Sequence, residues 1–131
     1  MAFIVAGFPK GFKFDSANDS WMAQKRWYCV VHLFDKAGNH TGTETEFLGT
    51  TADGERRVLE DAEHRLDKML ARLGSRKLGN ISVRLFKAEI DGVEFGLEPE
   101  TYEIEGRKIE RVTLRPNDLA FFEPWDGNYD T

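Results

Sequence analysis

The chain has one cysteine, three histidines and four prolines in 131 residues, and each scarcity removes a class of explanation. With Cys29 alone there is no internal disulfide, and no C-x-x-C pair exists to seed a zinc site. Cys29 stands inside WYCVVHLF, where a buried strand position is expected rather than an activated thiolate. His32, His40 and His64 make no ligand set by spacing, so no metal is expected. No apolar run approaches the length that spans a bilayer, and the opening MAFIVAGFPKG lacks a basic start followed by a long apolar stretch. A cytoplasmic protein with no membrane partner is the expectation.

Catalytic signatures are equally scarce. There is no G-x-S-x-G or comparable nucleophile motif. The glycines of GTTADG precede a helix, but no lysine follows them, and Asp53 and Glu55 already place negative charge where a phosphate would sit. Glu94, Glu98, Glu100, Glu103, Glu105 and Glu110 are numerous, yet their spacing selects no matched acid and base. The reading is therefore non-enzymatic and cofactor-free, with a small enzyme whose site the sequence hides as an alternative.

What is present is ordinary globular composition, 40% hydrophobic and 31% charged, which suits one domain over residues 1–131. The net charge of −5 is unevenly spread. Residues 1–50 hold five basic and five acidic groups, residues 51–90 nine and seven, and residues 91–131 four and eleven. The negative field thus sits in the last third, which would repel nucleic acid and attract a basic protein.

The clearest periodic segment runs from Thr50 to Gly74. Val58, Ala62, Leu66, Met69, Leu70 and Leu73 recur at three and four, which predicts one long amphipathic helix. Thr50 or Thr51 can cap its start, and Gly74 can stop it. His64, four residues after Glu60, belongs on its solvent side.

The remainder reads as strands: Ala2–Phe8, Arg26–Phe34, the threonine-rich His40–Thr50, Ile81–Leu85, Val93–Leu97, and a pair through Tyr102 and Ile109. Turns fall at residues 35–39, Asp91-Gly92 and Glu105-Gly106, and residues 9–20 form a loop. The fold class is α+β, a mainly antiparallel sheet with the helix across one face.

Two local features bear on function. The segment Trp27–Phe34 is apolar at both parities, so both of its faces require cover. The helix stripe can supply one. The aromatic terminus FFEPWDGNYDT can supply the other, or serve instead as a docking edge. Second, if Phe34 pairs with Asn39, then His32 pairs with Thr41 and His40 falls on the opposite face; a one-residue slip would bring the two imidazoles to the same side.

The stretch RWYCVVHLFDKAGNHTGTETEFLGTT, together with LAFFEPWDGNYDT, resembles a group of small bacterial proteins, some labelled formate-hydrogenlyase regulatory proteins. That resemblance brings no catalytic residues to carry over and its label implies little mechanism; a regulatory adaptor of a metabolic operon is the alternative among binding functions. In type, a small acidic α+β chain without a site is similar to the immunity proteins that bacteria keep beside secreted toxins, which implies tight binding to one basic protein. The candidate contact residues are Glu123, Trp125, Asp126, Tyr129 and Asp130, with Glu98, Glu100 and Glu103 as outer charges.

Overall fold

A computed structural model of the chain describes residues 1–15, 17, 20–74, 81–122 and 128–129. Strands β1 (Ala2–Gly7), β2 (Arg26–Phe34) and β3 (His40–Thr50) form an antiparallel sheet in the order β1-β2-β3. A four-residue helix, α1 (Trp21–Gln24), precedes β2. After β3 the chain makes one turn of 3₁₀ helix and enters α2 (Glu55–Leu59) and α3 (Ala62–Arg72). A short β4 (Ile81–Ser82) follows. Then come β5 (Phe86–Ile90), β6 (Val93–Ile104), β7 (Arg107–Arg115) and β8 (Leu119–Phe122), a second antiparallel sheet in sequence order. The last described element, β9 (Asn128–Tyr129), pairs with β4. Antiparallel sheets with helices make the class α+β, and no helix among the described residues is long and apolar enough to cross a membrane.

The predicted long helix is divided at Glu60 and Asp61. Its apolar stripe nevertheless faces the first sheet: Val58, Ala62 and Met69 are buried, while Leu66, Leu70 and Leu73 pack around Cys29, Val31 and Met69. The small Ala62 marks a close approach, since its carbonyl accepts the Cys29 thiol at 3.3 Å. Burial holds that thiol above its ordinary pKa, in keeping with a structural cysteine. Thr50 and Asp53 secure the start, the Asp53 carboxylate accepting from the Thr50 amide and hydroxyl, both at 2.8 Å. His64 is exposed, as its place outside the stripe requires.

β2 is covered on both faces, as its composition demands. Cys29 and Val31 meet α3. On the other face Tyr28 and Val30 meet Val93 and Phe95 of the second sheet, so a sheet supplies the cover for which the C-terminal aromatics were a candidate. The order is helix, sheet, sheet. A further core of Val83, Leu97 and Leu114 holds Met1, Phe3, Phe34, Phe86 and Phe121 around it. Phe121, from the aromatic terminus, thus folds against its own chain, whereas residues 123–127 and 130–131 lie outside the described residues.

Both predicted two-residue turns form, with positive φ at Asp91 and Gly92 and at Glu105 and Gly106, as a type I′ hairpin requires. Two strands differ from expectation. The partner of β6 across Asp91-Gly92 is β5, not the segment 81–85, of which only Ile81–Ser82 is strand. The separately predicted Val93–Leu97 and Tyr102 segments are one strand running through Pro99. Pro99 is tolerated because β6 has lost its β5 neighbour after Leu97, leaving one side of the ladder open there.

Candidate protein-docking surface

The outer face of the second sheet is built by register. The Asp91-Gly92 turn sets Lys87 opposite Gly96, so Glu94 and Glu98 become its diagonal neighbours. The Glu105-Gly106 turn sets Glu100 opposite Arg111, Glu98 opposite Thr113 and Gly96 opposite Arg115. The side chains join accordingly. Lys10 and Lys87 reach Glu94 at 2.9 and 2.7 Å, and Lys87 also reaches Glu98 at 2.7 Å. Arg115 lies 3.9 Å from Glu98 and binds Glu100 and Asp118 closely. Arg111 meets Glu100 at 2.6 Å and lies over the Tyr102 ring at 5.0 Å. The fully buried Thr113 hydroxyl donates to Glu100 at 2.9 Å.

Lys10, Lys87, Arg111 and Arg115 thus oppose Glu94, Glu98, Glu100 and Asp118, and the ladder is neutral. Hydrogen bonding from Lys87, then Lys10, holds the Glu94 carboxyl down at about 2. Arg111 foremost holds Glu100 below the usual carboxylate range. These glutamates are committed within the molecule, so they are weak candidates for charge offered to a partner.

What the ladder leaves over lies further along the hairpin. Past Leu97 on β6, and for Arg107–Glu110 of β7, the two strands pair only with each other among the described residues. That ribbon carries Glu103 and Glu105 and one cation, Arg107, all exposed and without an ion pair among the described residues, beside Ile104, which is 50% exposed. Of the predicted outer charges, Glu98 and Glu100 are in the ladder and Glu103 is open. Glu123, Trp125, Asp126 and Asp130 lie outside the described residues, and Tyr129 is placed as the strand partner of Ile81. The ladder cations escaped the sequence reading, although the two turns could have found them, since each turn fixes by counting which residues stand opposite.

No protein-family model, curated protein or solved structure matches this chain.

The second cluster is buried at His32 and half-buried at His40. A β-bulge between Leu33 and Phe34 changes the pairing to Phe34–His40 and His32–Thr43. This overturns the expected His32–Thr41 register and brings both imidazoles to one side, their centroids 5.6 Å apart. His32 Nδ1 and His40 Nε2 each share a hydrogen bond with Thr43 Oγ1 at 2.8 Å. Phe86 stacks on His40 at 4.4 Å and meets His32 edge-on. Burial first, then the neighbouring His40 and the N-terminal amine, push the His32 pKa down to about 3; burial also lowers that of His40. Burial thus favours the neutral form of both rings, and both are bound to one hydroxyl. Among the described residues no group of three or more His, Cys, Asp or Glu could hold a metal ion. The pair acts as a polar clamp inside the inter-sheet core.

Proposed function

We propose that this chain is a non-enzymatic protein-binding protein, an immunity-type inhibitor that covers the basic active-site region of a partner with an acidic, aromatic surface. The observation that supports it is the position of the uncompensated charge. The inner carboxylates of residues 91–131 are neutralised within the sheet; on the ribbon Glu103 and Glu105 outnumber Arg107, the one open cation there among the described residues, and by sequence Glu123, Asp126 and Asp130 of the terminus add to the negative side. Open carboxylates accelerate encounter with a basic protein and set its orientation, while Ile104, Tyr102, Trp125 and Tyr129 supply anchoring area. Occlusion needs no chemistry from the chain itself.

The test is capture of partners from the native host, followed by expression of each partner with and without this protein. The expected partner is basic, arrests growth alone and is neutralised by co-expression. Glu103→Lys combined with Glu105→Lys should slow association about tenfold at low salt and remove most of its salt dependence. A captured partner with no effect on growth would move the reading to a regulatory adaptor of a metabolic operon. Association unaffected by the double reversal and by Asp126→Ala with Asp130→Ala would end the acidic-surface reading.

A further inference from the structure

The first sheet has an open edge whose chemistry matches itself. β3 pairs with β2 on one side, and no strand among the described residues pairs with the other. The direction of its backbone groups follows from the far side of the sheet. His32 donates to the Met1 carbonyl at 2.8 Å, and the Met1 amine donates to the His32 carbonyl at 3.0 Å, so both polar groups of His32 point towards β1. By antiparallel alternation Tyr28 and Val30 point the same way. Their partners Phe47, Thr45 and Thr43 therefore turn N–H and C=O away from β2, towards the open edge. The register between Gly42 and Phe47 is unbroken, and this stretch holds neither proline nor lysine, the residues that usually protect an edge.

We infer that β3 pairs antiparallel with β3 of a second copy, about a two-fold axis through Thr45. Thr45 then faces its own equivalent, and Thr43 faces Phe47 of the other copy. All three are outward-pointing positions, so each pair can exchange two hydrogen bonds. The side chains agree with this register on both faces. On the face towards the second sheet, Phe47, 49% exposed and held only partly by Tyr28, gains a β-branched cross-strand neighbour. On the helix face Glu46 receives both Arg65 at 3.3 Å and Arg72 at 3.7 Å, two guanidinium groups on one carboxylate. Glu44 is exposed and makes no ion pair among the described residues. In the paired arrangement Glu44 of one copy lies opposite Glu46 of the other and supplies the missing carboxylate to its two arginines. Such an interface is isologous and closes at two copies. It uses a different strand from the acidic ribbon, so it stands apart from the partner-binding reading.

Sedimentation equilibrium across a wide range of protein concentration tests it. The wild-type mass should rise from 15.0 kDa towards twice that value. Thr45→Pro removes an outward amide without touching the β2 ladder, and it should leave a monomer at every concentration. Glu44→Lys places a third cation beside Arg65 and Arg72, and it should weaken the dimer about tenfold or more while the melting curve of the monomer stays unchanged. Amide exchange gives the positional readout: Thr43, Thr45 and Phe47 should gain protection at high concentration. A wild-type monomer throughout would overturn the inference. So would a dimer that survives Glu44→Lys with no added protection at those three amides, whether or not the proline variant folds.

Discussion

β2 and β6 are the long inner strands of their sheets, and they are built on opposite plans. β2 buries five consecutive residues, Tyr28 to His32, because a helix closes one face and a sheet the other. β6 buries Val93, Phe95 and Leu97 on one face, sets glutamates on the other, and then runs beyond the core altogether. Strand composition therefore reports layer position: an apolar run at both parities marks a middle layer, and alternation marks an outer one. The same contrast separates the polar groups. On the sheet-facing side of β2 they are few and set in the core, His32 and its Thr43 partner; on the outer side of β6 they are many, ionised and paired.

The sharpest way to break this contrast is a pair of truncations. Phe95→Ala, at the point where the second sheet meets Tyr28 and His32, should cost about 3–5 kcal/mol, whereas Lys87→Ala on the solvent-facing ladder should shift the melting midpoint far less. Thermal unfolding of both variants decides it, and similar losses would mean that the outer ladder is as integral as the core.

Acid should distinguish the two regions by window. The His32 pKa is depressed in the fold, so the unfolded chain takes up its proton first. Stability from the neutral ring is complete above the ordinary value of 6.5 and is lost as pH falls from there towards about 3. The slope cannot exceed about 1.4 kcal/mol per pH unit for one group. Glu94 is depressed as a carboxylate, so its contribution is present above the ordinary 4.5 and is lost as pH falls towards about 2. Denaturant titrations at successive pH values should show the decline beginning above pH 5 in the wild type. In His32→Gln the slope between pH 6.5 and 5 should shrink to the part supplied by His40, whose pKa burial also lowers, and an unchanged slope in the variant would remove His32 as its source.

The smallest expected effect concerns the ribbon. Glu105 adopts φ of 50°, a conformation that asparagine accepts more readily than glutamate. Glu105→Asn should therefore raise stability by up to about 1 kcal/mol, measurable as a higher denaturant midpoint; a lowered one would show that the glutamate side chain has a structural use at the turn.

Much of this architecture was legible beforehand, for identifiable reasons. β2 and β3 have the predicted limits, because β-branched and aromatic residues between turn residues leave little choice. The helix stripe was readable from spacing, although the step at Glu60 and Asp61 carried no sequence mark. Phe86–Ile90 escaped notice because Lys87 and Glu89 alternate with only three apolar residues. β8, which runs into the aromatic terminus, was hidden because short edge strands resemble tails. The imidazole pair was misplaced by one inserted residue, since a bulge reverses the parity of everything beyond it. The docking surface was legible in charge sign and not in availability: only the register reveals that Glu98 and Glu100 are already engaged.

The layered arrangement also has a temporal side. During synthesis β1, β2 and β3 emerge first, followed within the next stretch of chain by the helices that shield Cys29 and Val31. The opposite face, with Tyr28, Val30 and His32, has no cover until Val93 and Phe95 have been translated. A nascent chain halted in that interval would display a bare apolar sheet beside an open β3 edge, the combination that drives intermolecular strand pairing. Each hairpin joins sequence neighbours and can form early, so the slow and exposed interval in the life of this protein is the wait for its second sheet.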